Sequence, residues 1–208
     1  MAQNNRTIVK QGKNYKIYSD GTILVSDVRI SYPHLDKKWC KNPAKDTPAY
    51  SGTGILPNAT HSEARDAIKA FADEMLADRK MGRIKADAYF IRDGDASGKD
   101  EYADSWIIAA RESDNRPVVL HPDKSEMEIE DIKSTVKAGH YTDMLIEPWT
   151  QDNEHGKRVN ASLRAVRYRR EGEALSEGGI SKDDAISSFD DDEDGGFGGG
   201  DDDENGGL

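Results

Sequence analysis

Cysteine is nearly absent from these 208 residues. Cys40 stands alone, which excludes an intrachain disulfide, a cysteine-based zinc site and a redox pair. Apolar residues are also scarce, at 35% with a mean hydropathy of −0.84, against roughly 45–50% in an average globular chain. So little apolar material does not enclose the whole chain, and part of it is expected to stay unfolded. No run approaches the roughly 18 apolar residues of a membrane helix, and the first nine residues lack the apolar stretch of a signal peptide. The expectation is a soluble cytoplasmic protein. Catalytic strings are missing as well: no Gly-x-x-x-x-Gly-Lys-Ser/Thr loop, no Gly-x-Ser-x-Gly elbow and no His-Glu-x-x-His. His34, His61, His121, His140 and His155 fall at no ligand spacing. Isolated surface histidines account for them, and neither enzymatic activity, a cofactor nor a bound metal is expected.

Charge is present and unevenly spread. Residues 190–208 hold nine acids and no base, so the other 189 residues carry only −2 of the total of −11. Residues 1–45 sum to +6, as do residues 157–170, which contain no acid at all; the stretch between them sums to −10. If the two basic segments lie side by side, they form a positive face that the whole-chain average conceals.

The tail from Asp190 is built from acids and glycine, with Phe197 and Leu208 as its only apolar residues. Mutual repulsion and glycine entropy leave nothing to offset the cost of ordering, so it is expected to be disordered. The division is therefore a folded domain over 1–189 and an acidic tail over 190–208. Just before the tail, Ser181 to Asp184 reads as an N-cap and acidic first turn for a short helix through Phe189.

Upstream, most segments read as strands. Thr22 to Tyr32 is rich in branched residues and ends at Pro33, and Ala86 to Arg92, Ala103 to Arg111 and Thr142 to Trp149 are similar. Over 158–168 the alternation is clearest: Val159, Ala161, Leu163 and Ala165 take one side, Arg158, Asn160, Ser162, Arg164 and Tyr168 the other. One long helix is expected, opened by a Thr60-to-Glu63 capping box, with Ala64, Ala67, Ile68, Phe71, Met75 and Leu76 on its apolar face and Gly82 as its stop. Five or six strands with one inserted helix suggest a mainly β fold, a small barrel.

One string is metal-like. Asp93 to Asp104 places acids or hydroxyls at positions 1, 3, 5, 9 and 12 of a twelve-residue loop, with Gly98 at position 6. An aspartate at position 12 is short for bidentate reach and the flanks read as strands, so a polar hairpin explains the same residues. The other signal is cations interleaved with rings, the chemistry that holds single-stranded nucleic acid by its phosphates and under its bases. Tyr32 accompanies Arg29; Trp39 lies among Lys37, Lys38 and Lys41; Tyr168 accompanies Arg164 and Arg167; Tyr50, Tyr102 and Trp106 are further rings. Core packing is the competing explanation for each ring. Trp39, in a lysine-rich segment between two prolines, is the best stacking candidate.

In this order the segments carry a resemblance. Ile30 to His34, Ile91 to Asp95, Trp106 to Arg111 with Arg116 to Val119, the strand ending at Trp149, Leu163 to Val166, Arg170 to Glu173 and Ala185 to Phe189 resemble the phage single-stranded DNA-binding proteins, a tailed-phage family formerly known only as a domain of unknown function. The resemblance implies a five-stranded oligonucleotide-binding (OB) barrel. It implies a protein that coats single-stranded DNA in phage replication or recombination inside the infected bacterium, without catalysis or sequence preference. It also places Arg92 near the binding face, and implies that the acidic tail competes with DNA and recruits replication or recombination proteins. Related proteins end in a phenylalanine that docks into partners, whereas this chain ends in Leu208; Phe189 or Phe197 can take that role or be inert. Three to five phosphates in a groove between the basic segments give a log–log salt slope of roughly −2 to −3.5. Two readings compete with this one: a protein-interaction module whose acidic tail mimics DNA, and a metal-dependent nuclease using Asp93, Asp95 and Asp104.

Overall fold

A computed structural model describes residues 6–175. The acidic tail and the helix expected before Phe189 lie outside the described residues, as do Phe189, Phe197 and Leu208. The architecture is mainly β. Strands β1 (Ile8–Gly12), β2 (Tyr15–Tyr18), β3 (Ile23–Trp39) and β4 (Ala49–Pro57) are followed by helix α1 (Asn58–Asp78). Then come β5 (Ile91–Asp93), β6 (Ser105–Glu112), β7 (Val118–Leu120), helix α2 (Ile129–Thr135), β8 (Tyr141–Asn153) and β9 (Gly156–Arg170).

All nine strands belong to one sheet, in the order β5-β6-β4-β3-β8-β9-β7, with β2 on β3 and β1 on β2. The expected five-stranded barrel is therefore corrected: among the described residues there are nine strands, the sheet is not closed, and no ladder joins β9 to the β5–β6 end. Backbone groups of β9 and the segment before β5 bond at one place among the described residues, where the Phe90 N–H donates to the Val159 carbonyl at 2.7 Å and Tyr89 bridges Val159.

The longest strand shows why the boundaries differ from the sequence reading. β3 does not end at Pro33. It continues to Trp39 because the proline sits where the register against β4 shifts between Ser31 and His34, a bulge at which no ladder donor is required. Tyr32, with φ of +49°, makes the bend, and Asp27, at φ +58°, makes another between the stretch paired with β2 and the stretch paired with β4. In β8, Pro148 is tolerated because β3 pairs only as far as Ile146, leaving one side of the strand free. Ala86 to Ala88 forms a 3₁₀ turn rather than a strand, and only Ile91–Asp93 pairs with β6.

The single long helix is present and buries His61, Ala64, Ala67, Ile68, Ala72 and Leu76, close to the face read from its periodicity. Its start is not the capping box. Pro57 is the N-cap, the Thr60 hydroxyl bonds His61 Nδ1 at 2.8 Å, and the Glu63 carboxylate accepts the Lys13 N–H at 3.3 Å in the β1–β2 turn. The N-cap thus stands three residues before the predicted Thr60. The second helix, α2, carries no sequence signal, because seven residues with one buried side chain, Ile132, give no readable period.

The main core fills the space between the sheet's inner face and α1, with Ile23, Ile30, Leu56, Ile68, Ile108, Met144, Ile146 and Leu163 fully buried. A smaller cluster of Ile55, Tyr102 and Ile107 lies on the opposite face of β4 and β6, because adjacent strand residues point opposite ways. Leu175 packs against it, and Arg29 holds the preceding segment through the Gly139 and Glu173 carbonyls at 3.2 and 2.6 Å.

Candidate nucleic-acid interface

The β8–β9 hairpin is the most extensive ladder of the fold, and its register builds one wall of a groove. Glu147 pairs with Ser162, Trp149 with Asn160 and Gln151 with Arg158, so these six side chains share a face while Val159, Ala161 and Leu163 enter the core. A bulge at Arg164, between Leu163 and Ala165, restores burial at Val166. Across the groove stand Arg92 of β5 and Arg111 of β6, with Lys45 from the β3–β4 connection and Tyr89 before β5. The groove encloses about 1340 Å³ and lies over the place where β6 faces β9 without a hydrogen-bonded ladder.

Its charges fall into two groups. Arg164 is neutralised twice, by Glu112 and Glu147 at 2.7 Å each. Lys45, Arg92, Arg111 and Arg158 have no carboxylate within ion-pair distance among the described residues; Arg111 donates to the Thr47 carbonyl and Arg158 to that of Asp87. Trp149 is 43% exposed on the wall. Tyr89 is half-buried: Lys69 Nζ lies 4.0 Å from its ring centroid, its hydroxyl donates to Asp73 at 2.8 Å, and burial together with that carboxylate pushes its pKa up to about 12. Asp46 and Asp114 line the same groove, neither in an ion pair among the described residues; the four cations outside any ion pair and the exposed indole can hold phosphates and stack bases.

Only two of the eleven sequence candidates, Arg92 and Arg164, line this groove. Tyr102 is a correction: it is 4% exposed, packs on Ile55 and Ile107 and donates to Ser31 Oγ at 3.1 Å, so it is core. Trp106 packs half-buried against the main core, with the Arg65 guanidinium 5.7 Å above its ring. Arg29 serves the C-terminal segment, and Arg167 is bonded through Nε and Nη2 to Asp143, whose side chain is 1% exposed. Tyr168 packs on the core beside His140. Tyr32, at the β3 bend, accepts a 2.8 Å hydrogen bond from Lys99. Trp39 is 48% exposed with His34 stacked on one face at 4.7 Å, and Lys38 lies 5.8 Å from the Tyr50 ring.

The two basic segments are not adjacent in the sheet, since β8 separates β3 from β9. Arg158 was already on the polar side of the alternating strand, and Trp149 and Arg111 carried no local signal because the β8–β9 and β4–β6 registers bring them to the groove. The calcium-like loop folds as two 3₁₀ turns in which Asp93 accepts the Asp95 N–H and Asp95 the Asp104 N–H, while Asp104 accepts from Asn58. Its carboxylates hold the connection together, and no group of three or more potential metal ligands is found among the described residues.

The profile of the family described as the ssDNA-binding protein of Enterobacter phage Enc34 matches residues 21–197. Among solved structures, the single-stranded DNA-binding protein from bacteriophage Enc34 in complex with ssDNA is 35% identical, covers 83% of this chain and 99% of that one, and superposes with a TM-score of 0.76. A second structure of that protein covers 87% and 98% with a TM-score of 0.75. Protein p50 of Acyrthosiphon pisum secondary endosymbiont phage 1 is 26% identical over 177 residues, covering 81% of this chain and 92% of the relative.

Proposed function

The chain belongs to the family of the Enterobacter phage Enc34 single-stranded DNA-binding protein, and from that premise we propose that it coats single-stranded DNA, without catalysis or sequence preference, in the cytoplasm of an infected bacterium during replication or recombination. The observation that carries the reading is the juxtaposition of Lys45, Arg92, Arg111 and Arg158 with the exposed Trp149 in one groove. Phosphates engage the cations, and a base lies on the indole. Four phosphate contacts give a log–log salt slope of about −2.8. The nine acids of 190–208 are the natural competitor for the same cations, because a tethered polyanion acts at roughly millimolar effective concentration. We assign to that tail both this competition and the recruitment of replication or recombination proteins, with Phe189, Phe197 or Leu208 as its apolar contact.

The test is fluorescence anisotropy of a labelled oligothymidine with the full chain and with a chain ending at Phe189, using labelled duplex as control. Salt-sensitive binding of the single strand, tighter for the shortened chain, is expected. Equal affinity of the two forms at low salt refutes tail competition; absence of binding by both refutes the DNA reading and favours a protein-interaction module.

A further inference from the structure

A second cleft, of about 390 Å³, opens off the end of the groove and shares His155 and Arg158 with it. Its construction follows from how α1 ends. Beyond Asp78, Lys80 at φ +53° and Gly82 at φ +70° turn the chain back, and residues 83–87 then run beside the β8–β9 turn. Two bonds stitch these segments together: Lys157 Nζ donates to the Met81 carbonyl at 3.0 Å and Arg158 Nη2 to the Asp87 carbonyl at 3.2 Å. The result is a wall bearing Arg83, Lys85, Lys157 and Arg158 against one carboxylate, Asp87.

Arg83 and Lys85 are exposed and make no ion pair among the described residues, and Lys157 reaches only the exposed Asp152, at 3.7 Å. Contrast the neighbouring Arg164, Arg167, Arg169 and Arg170, each held against a carboxylate. Those arginines serve the fold; Arg83 and Lys85 do not. Because a nucleic-acid strand is continuous, a strand lying on Arg158 in the groove has its next phosphates within the field of the cleft.

Resting on the single-strand reading of the groove, we propose that this cleft is a second phosphate-binding subsite, extending one protomer's footprint from Lys45 past Arg158 to Arg83 and Lys85. The site takes backbone phosphates rather than bases, since its lining offers cations and no ring besides His155.

The subsite is tested on the full chain with oligothymidines of graded length bracketing the roughly 4–16 nucleotides typical of one such domain. The variants are Arg83→Gln/Lys85→Gln and, as an equal charge change away from both clefts, Lys10→Gln/Lys16→Gln. Long oligonucleotides should lose about 1.4 from the log–log salt slope with the first variant, which is about sevenfold between 50 and 200 mM salt. The shortest oligonucleotides that still bind, and the control variant, should keep the wild-type slope. An unchanged slope on long oligonucleotides overturns the subsite while leaving the groove intact, and so does an equal loss with the control pair. Failure of the wild-type chain to bind any length overturns the groove reading and the subsite together.

Discussion

Trp149→Ala separates the groove from the ring that the sequence favoured. Trp149 is 43% exposed on the β8–β9 wall, paired with Asn160, and lines the groove together with Arg158 of the same wall and Arg111 of β6. Removing a stacked ring costs about 1–3 kcal/mol per base, a loss in single-strand affinity of about 5-fold to about 150-fold. The side chain contributes little to the core, so the melting temperature should stay within a degree or two. Trp106→Ala should do the reverse. It is half-buried against the main core under Arg65, and about half the 3–5 kcal/mol of a fully buried large-to-small change is about 2 kcal/mol, or about 4–8 °C in a chain of this size. Its affinity per folded molecule should not change. Trp39→Ala lies outside the groove lining and should cost less affinity than Trp149→Ala. Anisotropy titrations at fixed salt, with thermal melts of the same preparations, measure both quantities. Wild-type affinity for Trp149→Ala, or a larger loss for Trp39→Ala, would refute the placement of base stacking in this groove.

Two further perturbations test the electrostatics. Glu147→Gln removes one of the two carboxylates on Arg164; the freed charge should tighten single-strand binding at low salt and steepen the log–log slope by about 0.7, and an unchanged slope would show that Glu112 alone keeps Arg164 engaged. His61 is buried in the first turn of α1 with its ring bonded to Thr60 and the Ser26 carbonyl, and burial holds its pKa below the ordinary 6.5 despite that carbonyl and Asp27. Below pH 6.5 the unfolded chain takes up a proton that the folded chain resists. The stability contribution is therefore complete above that pH and is lost as the pH falls toward the lowered folded-state value. Thermal melts should show a wild-type decline on acidification from pH 6.5 that is shallower in His61→Gln; parallel declines would remove His61 as the cause.

Period and order were legible from residues alone, pairing was not. The apolar face of α1 and the alternation of β9 as far as Leu163 came through because each is set by side-chain direction within one element; beyond it the bulge at Arg164 reverses the phase, burying Val166 in place of Ala165 and laying Tyr168 on the core. The charge count misled at the interface. The run of six bases over 157–170 looks like a free cationic strand, yet Arg164, Arg167, Arg169 and Arg170 are matched to Glu112, Glu147, Asp143 and Asp27, three of which come from the acidic middle of the chain. Burying Asp143 to 1% requires such partners, since an unpaired carboxylate at that depth is prohibitively costly. A sum over sequence segments cannot register a pairing made across strands. For the same reason Tyr102 looked like a stacking ring: its cluster lies on the outer face of β4 and β6, a second apolar surface that a single-barrel picture does not contain.

The groove's polar groups bear on how a strand is read. Sequence readout needs donors and acceptors fixed against base edges, typically the paired functions of an amide side chain. The two amides on the β8–β9 wall are turned toward each other instead: Asn160 Nδ2 donates to Gln151 Oε1 at 3.0 Å, and Gln151 Nε2 donates onward to Asn153 at 3.1 Å. The groove also presents the guanidinium and ammonium groups of Lys45, Arg92, Arg111 and Arg158, which engage any phosphate, and an indole, which stacks on any base, with Asn115 as the one further amide of its lining. Oligonucleotides of equal length and different composition should therefore bind within a few-fold of one another, with differences following stacking strength. A preference of a hundredfold or more for one sequence, measured by competition at fixed salt, would mean that the Asn160–Gln151 pair opens to read bases.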